Sequence, residues 1–410
     1  MKICVLGLGY IGLPTSLLLA NAGNKVIGVD INYKIVDYLN KGELPFKEPG
    51  LFELFQKAKN NFTASSSLES SDVYIIAVPT PLEKGMKLAD LNAVRNASES
   101  IAKFIKEEQL VILESTVPPG TSENLVVPIL RKNIKKCFYY AYCPERAIPG
   151  KTLHEMVFND RIIGGLDEES AKKTKQLYSS FVKGNIYLTY TKTAEFVKLM
   201  ENTFRDINIA LANEFSLMAE ELEIDVWKAI EIANRHPRVN ILKPGPGVGG
   251  HCIAVDPLFL AEKSSRSRIV TLAREINDSM PGHVVKLVKD MLKDIEHPTI
   301  TLLGLAYKGN VDDTRESPSF KIKKIAESEG INVRFYDPLV KGFTDNSKTI
   351  NDAVKNVDCI VLVTDHDVFQ DIDPFSLLLR NKNLIDTRNF LDHKKWKKSG
   401  FNILVLGKGD

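Results

Sequence analysis

Apolar residues recur along this chain in two periods, and their order predicts its architecture. Lys2–Leu6 (K-I-C-V-L) is a short apolar run, the pattern of a parallel strand buried on both faces. A helical stretch follows at Leu13–Ala22 and a second strand at Lys25–Val29. Strands at Val73–Val78, Leu110–Glu114 and Phe138–Tyr142 continue the alternation, with helical stretches at Leu91–Phe104 and Ser122–Arg131. Strand and helix in repetition predict a doubly wound α/β sheet. Thr193–Glu223 then changes the period. Phe196, Leu199, Met200, Phe204, Ile207, Ala210, Leu211, Phe215, Met218 and Leu222 fall at helical steps over 31 residues without Gly or Pro. At 1.5 Å per residue this is a helix of roughly 45 Å, long enough to span domains or to pack against a second subunit. The last third returns to the first theme. Strands are expected at Thr299–Leu303, Asn332–Tyr336, Cys359–Val363 and Leu384–Ile385, with a helix Ser319–Ser328 opened by Ser317-Pro318. The expected fold is α/β, with two doubly wound domains joined by a long central helix and a helical middle domain. Its parts are 1–190, 191–296 and 297–410.

Composition narrows what such a chain can do. At 410 residues it exceeds what one core fills, so two or three domains are expected. A hydrophobic fraction of 44%, a charged fraction of 26% and a net charge of +2 show no bias towards nucleic acid or an anionic membrane. Any anion site must therefore be local. The five cysteines, Cys4, Cys137, Cys143, Cys252 and Cys359, sit singly with no C-x-x-C pair. That favours a reducing cytosol and argues against structural zinc or any other metal site. A disulfide between Cys137 and Cys143, six apart in a strand-like run, is implausible. The chain has no apolar run long enough to cross a bilayer and no basic-then-apolar leader, so a cytoplasmic enzyme is expected.

The first loop carries a cofactor fingerprint. G-L-G-Y-I-G, Gly7 to Gly12, follows a strand and opens a helix, and Asp30 ends the next strand 18 residues after Gly12. In that context the motif reads as a Rossmann-like dinucleotide site. Gly9 admits the pyrophosphate, and the helix N-terminus favours its charge. Gly7, Tyr10, Ile11 and Gly12 complete the turn. Asp30 would accept from the ribose hydroxyls and repel a 2′-phosphate, which selects NAD over NADP. Ligands of such sheets lie at the carboxyl ends of the strands, where Thr80, Thr116 and Glu145-Arg146 fall. Thr80 and Thr116 are cofactor contacts or helix caps. Glu145 and Arg146 read as facing substrate, because a charged pair there needs a partner or water.

On the long helix Glu195, Lys198, Asn202 and Arg205 share one stripe, either a solvated face or part of a site. Asn202 and Asn213 tilt this towards a site, because better helix formers exist. Downstream, Asn234–Asn240 (N-R-H-P-R-V-N) places Arg235, His236 and Arg238 before a Gly-rich loop, which suits a diphosphate. That loop, Lys243–Pro257 (K-P-G-P-G-V-G-G-H-C-I-A-V-D-P), delivers Cys252 and then Asp256. Glycines let a ligand near the main chain and prolines stiffen it. With His251, Lys243 or backbone amides close by, Cys252 reads as a nucleophile rather than an inert buried thiol. In the last third, Gly304–Pro318 (G-L-A-Y-K-G-N-V-D-D-T-R-E-S-P) lacks G-x-G-x-x-G, so no second dinucleotide is indicated. Lys308 and Arg315 there suit phosphate, or are surface charges on a loop.

Taken together, G-L-G-Y-I-G…D, P-T-P, E-S-T-V-P-P-G-T, C-P-E-R, E-F-V-K-L-M-E-N, G-V-G-G-H-C-I-A-V-D and G-L-A-Y-K-G-N-V-D-D-T-R-E-S-P run through nearly the whole chain. In this order they resemble the UDP-sugar 6-dehydrogenases of the UDP-glucose/GDP-mannose dehydrogenase superfamily. The segment from Asn234 to Pro257 is similar to the branch that oxidises UDP-N-acetyl-D-mannosamine. One departure supports that branch. Val255 stands where the enzymes that oxidise UDP-glucose carry a lysine before the aspartate. The resemblance implies oxidation of a sugar C6 alcohol to a carboxylate with two NAD in turn, through a thiohemiacetal and a thioester on Cys252. It implies proton transfer and alkoxide stabilisation by Lys198 and Asn202, with Glu145 and Asp256 positioning or activating water. Arg146, Ala147, Lys198, Asn202, Arg205, His236, Arg238 and Gly249 would line the sugar-nucleotide site. Tyr307 and Lys308 would reach it from the last domain, Arg315 would contact NAD, and a homodimer or tetramer is implied. Alternatives are the same chemistry on UDP-N-acetylglucosamine, UDP-N-acetylgalactosamine or UDP-glucose, a one-step hydroxyacid dehydrogenase, and an inactive NAD-responsive scaffold.

Overall fold

The computed structural model describes residues 1–83, 85–132, 134 and 137–409. Two compact units emerge, Met1–Glu201 with Glu262–Ser265, and Asn202–Ala261 with Arg266–Asp410. The boundary falls inside one helix, Thr191–Glu221, which has the expected 31 residues but begins and ends two residues early. Its end is set by Glu223, which takes a left-handed backbone at φ 55°.

The first unit holds an eight-stranded sheet: β1 (Lys2–Leu6), β2 (Lys25–Val29), β3 (Phe62–Ser65), β4 (Val73–Ile76), β5 (Leu110–Leu113), β6 (Tyr139–Tyr142), β7 (Arg161–Gly165) and β8 (Ile186–Tyr190). The order is β3-β2-β1-β4-β5-β6-β7-β8, parallel except between β6 and β7. The continuous apolar runs are explained by two cores. Ile3, Val5, Ile75 and Ile112 face one, with Leu13 and Leu17 of the helix Gly12–Asn21. Cys4, Leu6, Tyr74, Ile76 and Val111 face the other, with Val94 and Ile101 of the helix Asn92–Ile101. Each fully buried aliphatic side chain contributes roughly 1.5–3 kcal/mol. The strand order reverses between β1 and β4, and the crevice at their carboxyl ends is where such sheets bind ligands.

The second unit repeats the scheme with β9 (Thr299–Leu303), β10 (Asn332–Tyr336), β11 (Cys359–Leu362), β12 (Asn383–Asp386) and β13 (Asn402–Val405), all parallel, in the order β10-β9-β11-β12-β13. Ile300, Leu302, Cys359 and Val361 pack against Val284 and Val288 of the helix Arg268–Met291. Leu303, Ile360 and Leu362 pack with Trp396 on the other face. Ser317 caps the helix Pro318–Ser328 as expected, accepting from Ser319 N–H.

Several elements differ from the sequence expectation. The stretch Ser122–Arg131 is a π-helical turn, Ser122–Val126, followed by the helix Val127–Arg131. Pro128 has no N–H to continue a regular ladder. Strands β3, β7, β8 and β13 and the 24-residue helix Arg268–Met291 were not expected. Strand β7 (R-I-I-G-G) starts on an arginine and ends on two glycines, which hides it. Those glycines are required by packing, since a Cβ on Gly164 would lie 2.7 Å from Tyr190 O. Pro281-Gly282 punctuates the missed helix in the same way. Among the described residues no helix is long and apolar enough to cross a membrane.

Candidate active site

In the first unit the β1 turn is built as a dinucleotide cradle. Gly7 has φ +95°, and a Cβ there would lie 2.5 Å from Ala77 O at the end of β4. A Cβ on Gly12 would strike Gly7 O, so the fold itself demands both glycines. Gly9 is different. No protein atom lies within 4 Å of where its Cβ would be, so packing does not require it and the space beside it is open. The following helix has no side-chain N-cap, and its N-terminal end is of the kind that favours an anion. Asp30 accepts from Leu8 N–H (2.8 Å) through Oδ2 and from Asn32 N–H (2.8 Å) through Oδ1. It therefore braces the glycine turn and keeps lone pairs for ribose hydroxyls. Tyr10 is 42% exposed and stacks on Phe46 at 4.3 Å. Ile11 is half-buried at the N-cap position. These residues fit NAD.

Thr80 and Thr116 are not helix caps. Thr80 Oγ1 donates to Thr116 O at 2.6 Å, which ties together the loops that leave β4 and β5. Glu145 and Arg146, after β6, do not pair through their side chains. Glu145 Oε1 accepts from Arg146 N–H (2.7 Å) and Ala147 N–H (3.0 Å), and Oε2 accepts from Arg161 at 2.5 Å. Arg146 is bound to Glu201 (2.6 Å) and to Asp160 O. Each of the two thus has a protein partner, and that of Glu145 is buried. Arg161 was missed because it lies inside a strand. It is 4% exposed, stacks on Tyr178 at 4.7 Å, and stands 3.8 Å from Glu114. Tyr178 OH (2.5 Å) and Thr15 Oγ1 (3.1 Å) donate to Glu114. Burial pushes the Glu114 carboxyl up to about 7, although Arg161, Tyr178 and Thr15 pull it down.

On the long helix the polar stripe runs from buried Glu195 and Lys198 to half-buried Asn202. Glu195 is fully buried and accepts from Gly120 N–H (2.5 Å) and Ser122 N–H (2.8 Å). Lys198 is 8% exposed and makes no ion pair or hydrogen bond among the described residues. Arg205 is exposed.

In the second unit Asn202 Nδ2 donates to Asp256 Oδ2 at 2.6 Å. Asp256 is 3% exposed, and its N–H donates to Cys252 O (2.8 Å), as does Val255 N–H (3.1 Å). Asn202, Asp256 and Cys252 are therefore one hydrogen-bonded constellation. Residues 244–250 are buried, and Cys252 is half-exposed beyond them. Packing requires several of the loop's glycines. A Cβ on Gly249 would lie 2.7 Å from Tyr307 Cβ and from Glu316 O, and Gly250 (φ +83°) lies against the Tyr307 ring. Gly250 N–H donates to Arg315 O at 3.0 Å. The Cys252 loop and the Tyr307–Arg315 loop are thus joined. Burial, then Asp313 and Cys252, raise the Tyr307 hydroxyl pKa. Arg315 forms a bidentate pair with Asp313 inside its own loop, at 2.9 and 2.6 Å. Lys308, His236 and Arg238 are exposed. Arg388, missed in the sequence, donates Nε to Val363 O (2.9 Å) and sets Nη1 against Gly245. Only the spatial neighbourhood reveals it, since D-T-R-N carries no glycine framing.

Residues 1–182 match the NAD binding domain of the UDP-glucose/GDP-mannose dehydrogenase family, residues 192–279 its central domain and residues 301–393 its UDP binding domain. A UDP-N-acetyl-D-mannosamine dehydrogenase of Methanococcus maripaludis strain C7 is 49% identical over 100% of this chain and 97% of that relative. One of Campylobacter jejuni is 43% identical over 95% of this chain and 97% of that relative. The solved structure of UDP-D-ManNAc dehydrogenase from Pyrococcus horikoshii superposes with a TM-score of 0.94 at 40% identity, covering 100% of both chains. With all three domains matched in sequence order and the glycine turn shaped for a dinucleotide, the chain belongs to the UDP-glucose/GDP-mannose dehydrogenase family.

Proposed function

We propose that this chain oxidises the C6 alcohol of UDP-N-acetyl-D-mannosamine to the uronate, with release of two NADH per sugar. The observation that carries the proposal is the 2.6 Å bond from Asn202 to Asp256, which ties Asn202 to the turn that starts at Cys252. The names of the relatives supply the substrate.

Gly7, Gly9, Tyr10, Ile11, Gly12, Asp30, Thr80 and Thr116 would hold NAD, which supplies the hydride acceptor for each oxidation when bound. Lys198 moves the C6 hydroxyl proton and, with Asn202, stabilises the developing alkoxide. Cys252 adds to the aldehyde as a thiolate and gives a thiohemiacetal. Its oxidation leaves a thioester, and water then releases the carboxylate and restores the thiol. Of the two candidate carboxylates Asp256 suits the water step better, because it lies four residues from the thiol and is hydrogen-bonded to Asn202. Glu145, tied to Arg161 and two amides, holds the Arg146-Ala147 turn against the sugar nucleotide. Arg205, His236, Arg238, Gly249, Tyr307, Lys308 and Arg388 would bind its diphosphate and sugar, and Arg315 NAD. Residues 1–190, 191–296 and 297–410 act as the cofactor, catalytic and nucleotide-sugar parts.

A homo-oligomer is supported by apolar side chains on one face of the long helix. Phe196, Met200, Phe204, Leu211 and Met218 are 39–68% exposed. A reducing cytoplasm suits the thiols of Cys4 and Cys143, both pushed up to about 12 by burial. The test is stoichiometry. Two NADH and one uronate per UDP-sugar are expected, and a single NADH with a stable aldehyde or ketone product would favour a one-step dehydrogenase.

A further inference from the structure

Two asparagines on the Thr191–Glu221 helix hold the Cys252 loop, and only one of them has a role so far. Asn202 and Asn213 are eleven residues apart, three helical turns, so they lie on the same face about 16 Å apart. Asn202 binds Asp256, beyond Cys252. Asn213 Oδ1 accepts from Gly245 N–H at 2.8 Å, before Cys252.

Asn213 is fully buried, a poor helix former in a helix interior, so its place depends on its hydrogen bonds. A buried chain supplies them. Asn213 Nδ2 donates to Asn277 Oδ1 (2.8 Å), and Asn277 Nδ2 donates to Asp206 Oδ1 (2.8 Å) and Asp206 O (3.0 Å). Arg274 closes the chain on Asp206 Oδ1 at 2.6 Å and reaches Asp278 at 2.7 Å. Asn277 is 1% exposed, Arg274 2% and Asp206 0%. The amide hydrogen of Gly245 is fixed as a donor and Asp206 as an acceptor. The direction of every bond between them follows, and both asparagine amides have one orientation. The same surface seats the loop sterically, since Gly247 (φ +124°) lies against Pro281 and Asn277 O.

We infer that Asn213 is a positioning residue, which, with the Asn277–Asp206–Arg274 chain behind it, fixes the entry to the Gly245–Gly250 loop so that Cys252 meets the aldehyde before it escapes. The inference rests on Cys252 being the nucleophile. Asn213 touches no reacting atom; it anchors the loop that carries one. Removing it leaves Gly245 N–H buried without an acceptor, and the loop must move to satisfy it.

The readout is the number of NADH released per UDP-sugar, with aldehyde captured by a hydrazine. A residue of merely structural importance lowers the amount of active enzyme but leaves that ratio at two. Asn213→Ala is expected to lower it towards one, with captured aldehyde and a fall in kcat of about tenfold or more, while KM for NAD stays within about twofold. Should Asn213→Ala fail to fold, Asn213→Leu fills similar volume without either hydrogen bond and reads the same ratio. Thr301→Val, which removes the buried 2.6 Å bond to Ala353 O in the second sheet, is the stability control and stays at two. Two NADH per sugar from both Asn213→Ala and Asn213→Leu, with Cys252→Ser unable to make uronate, would overturn this inference alone. Uronate production by Cys252→Ser would overturn it together with the nucleophile assignment.

Discussion

At the scale of single residues, Cys252 is separated from Cys4, Cys143 and Cys359 by burial and from the exposed Cys137 by its loop. Cys4, Cys143 and Cys359 are fully buried in strands or at a strand end, with thiol pKa values raised by burial. Cys252 is half-exposed in a braced turn. Cys252→Ser should therefore leave NAD and UDP-sugar binding within about twofold while cutting uronate formation by about 10³-fold or more, since serine is a poorer nucleophile and its ester a poorer acyl intermediate. Steady-state assays with binding calorimetry check this, and full turnover by the variant would remove Cys252 from the mechanism. Glu114 permits a second prediction. Its carboxyl is raised to about 7 by burial, so its proton is held more tightly folded than unfolded. That contribution is fully present below the unfolded pKa near 4.5 and is lost as pH rises through about 7. Glu114→Gln should therefore gain on wild type between pH 5 and pH 8, by on the order of 3 kcal/mol at most. Thermal melts across that range read it, and a pH-independent difference would mean Glu114 ionises normally.

Among the elements, the helix Thr191–Glu221 has the most consequences. It carries Glu195 for the turn at Gly120, the buried Lys198, Asn202 and Asn213 for the thiol loop, and an exposed apolar face. Its polar stripe was visible in the sequence, but the choice between a solvated face and a site was not. Period fixes which residues share a face, and only the neighbouring elements decide whether water covers it. For the apolar face, Phe204, 68% exposed, is the residue to change. Phe204→Glu should convert an oligomer into monomers with unchanged helical circular dichroism, because an exposed substitution in a lone protomer alters stability by only about 0.5 kcal/mol. Sedimentation velocity distinguishes the outcomes, and a wild-type monomer at about 10 μM would show that another partner covers this face.

For the whole molecule, the question is which UDP-sugar is turned over. Val255 is 9% exposed and donates its N–H to Cys252 O, so its side chain is built into the turn of the thiol. Where enzymes that oxidise UDP-glucose carry a lysine, this chain places an apolar group. The expectation is a kcat/KM for UDP-N-acetylmannosamine about 10²-fold or more above that for UDP-glucose, the range that one lost polar contact can produce. NADH release across a panel of UDP-sugars measures it, and a preference for UDP-glucose would move the chain to a different branch of its family.

The sequence by itself determined most of the alternation of strands and helices, though not β3, β7, β8, β13 or the helix Arg268–Met291, and the glycine turn with its aspartate. These are local properties: period, backbone freedom and motif spacing survive in a one-dimensional string. What it left open belongs to tertiary structure. Arg161 and Arg388 look like ordinary strand and loop cations until Glu145 and Gly245 are seen beside them. The glycines of the thiol loop looked open to a ligand, yet Tyr307, 57 residues beyond Gly250, fills the space against two of them. Glu145 and Arg146, adjacent in the chain, turn to different partners at Arg161 and Glu201. A buried charge or a missing side chain finds its partner wherever packing brings one. That choice is made by folding and is not carried by neighbours in the chain.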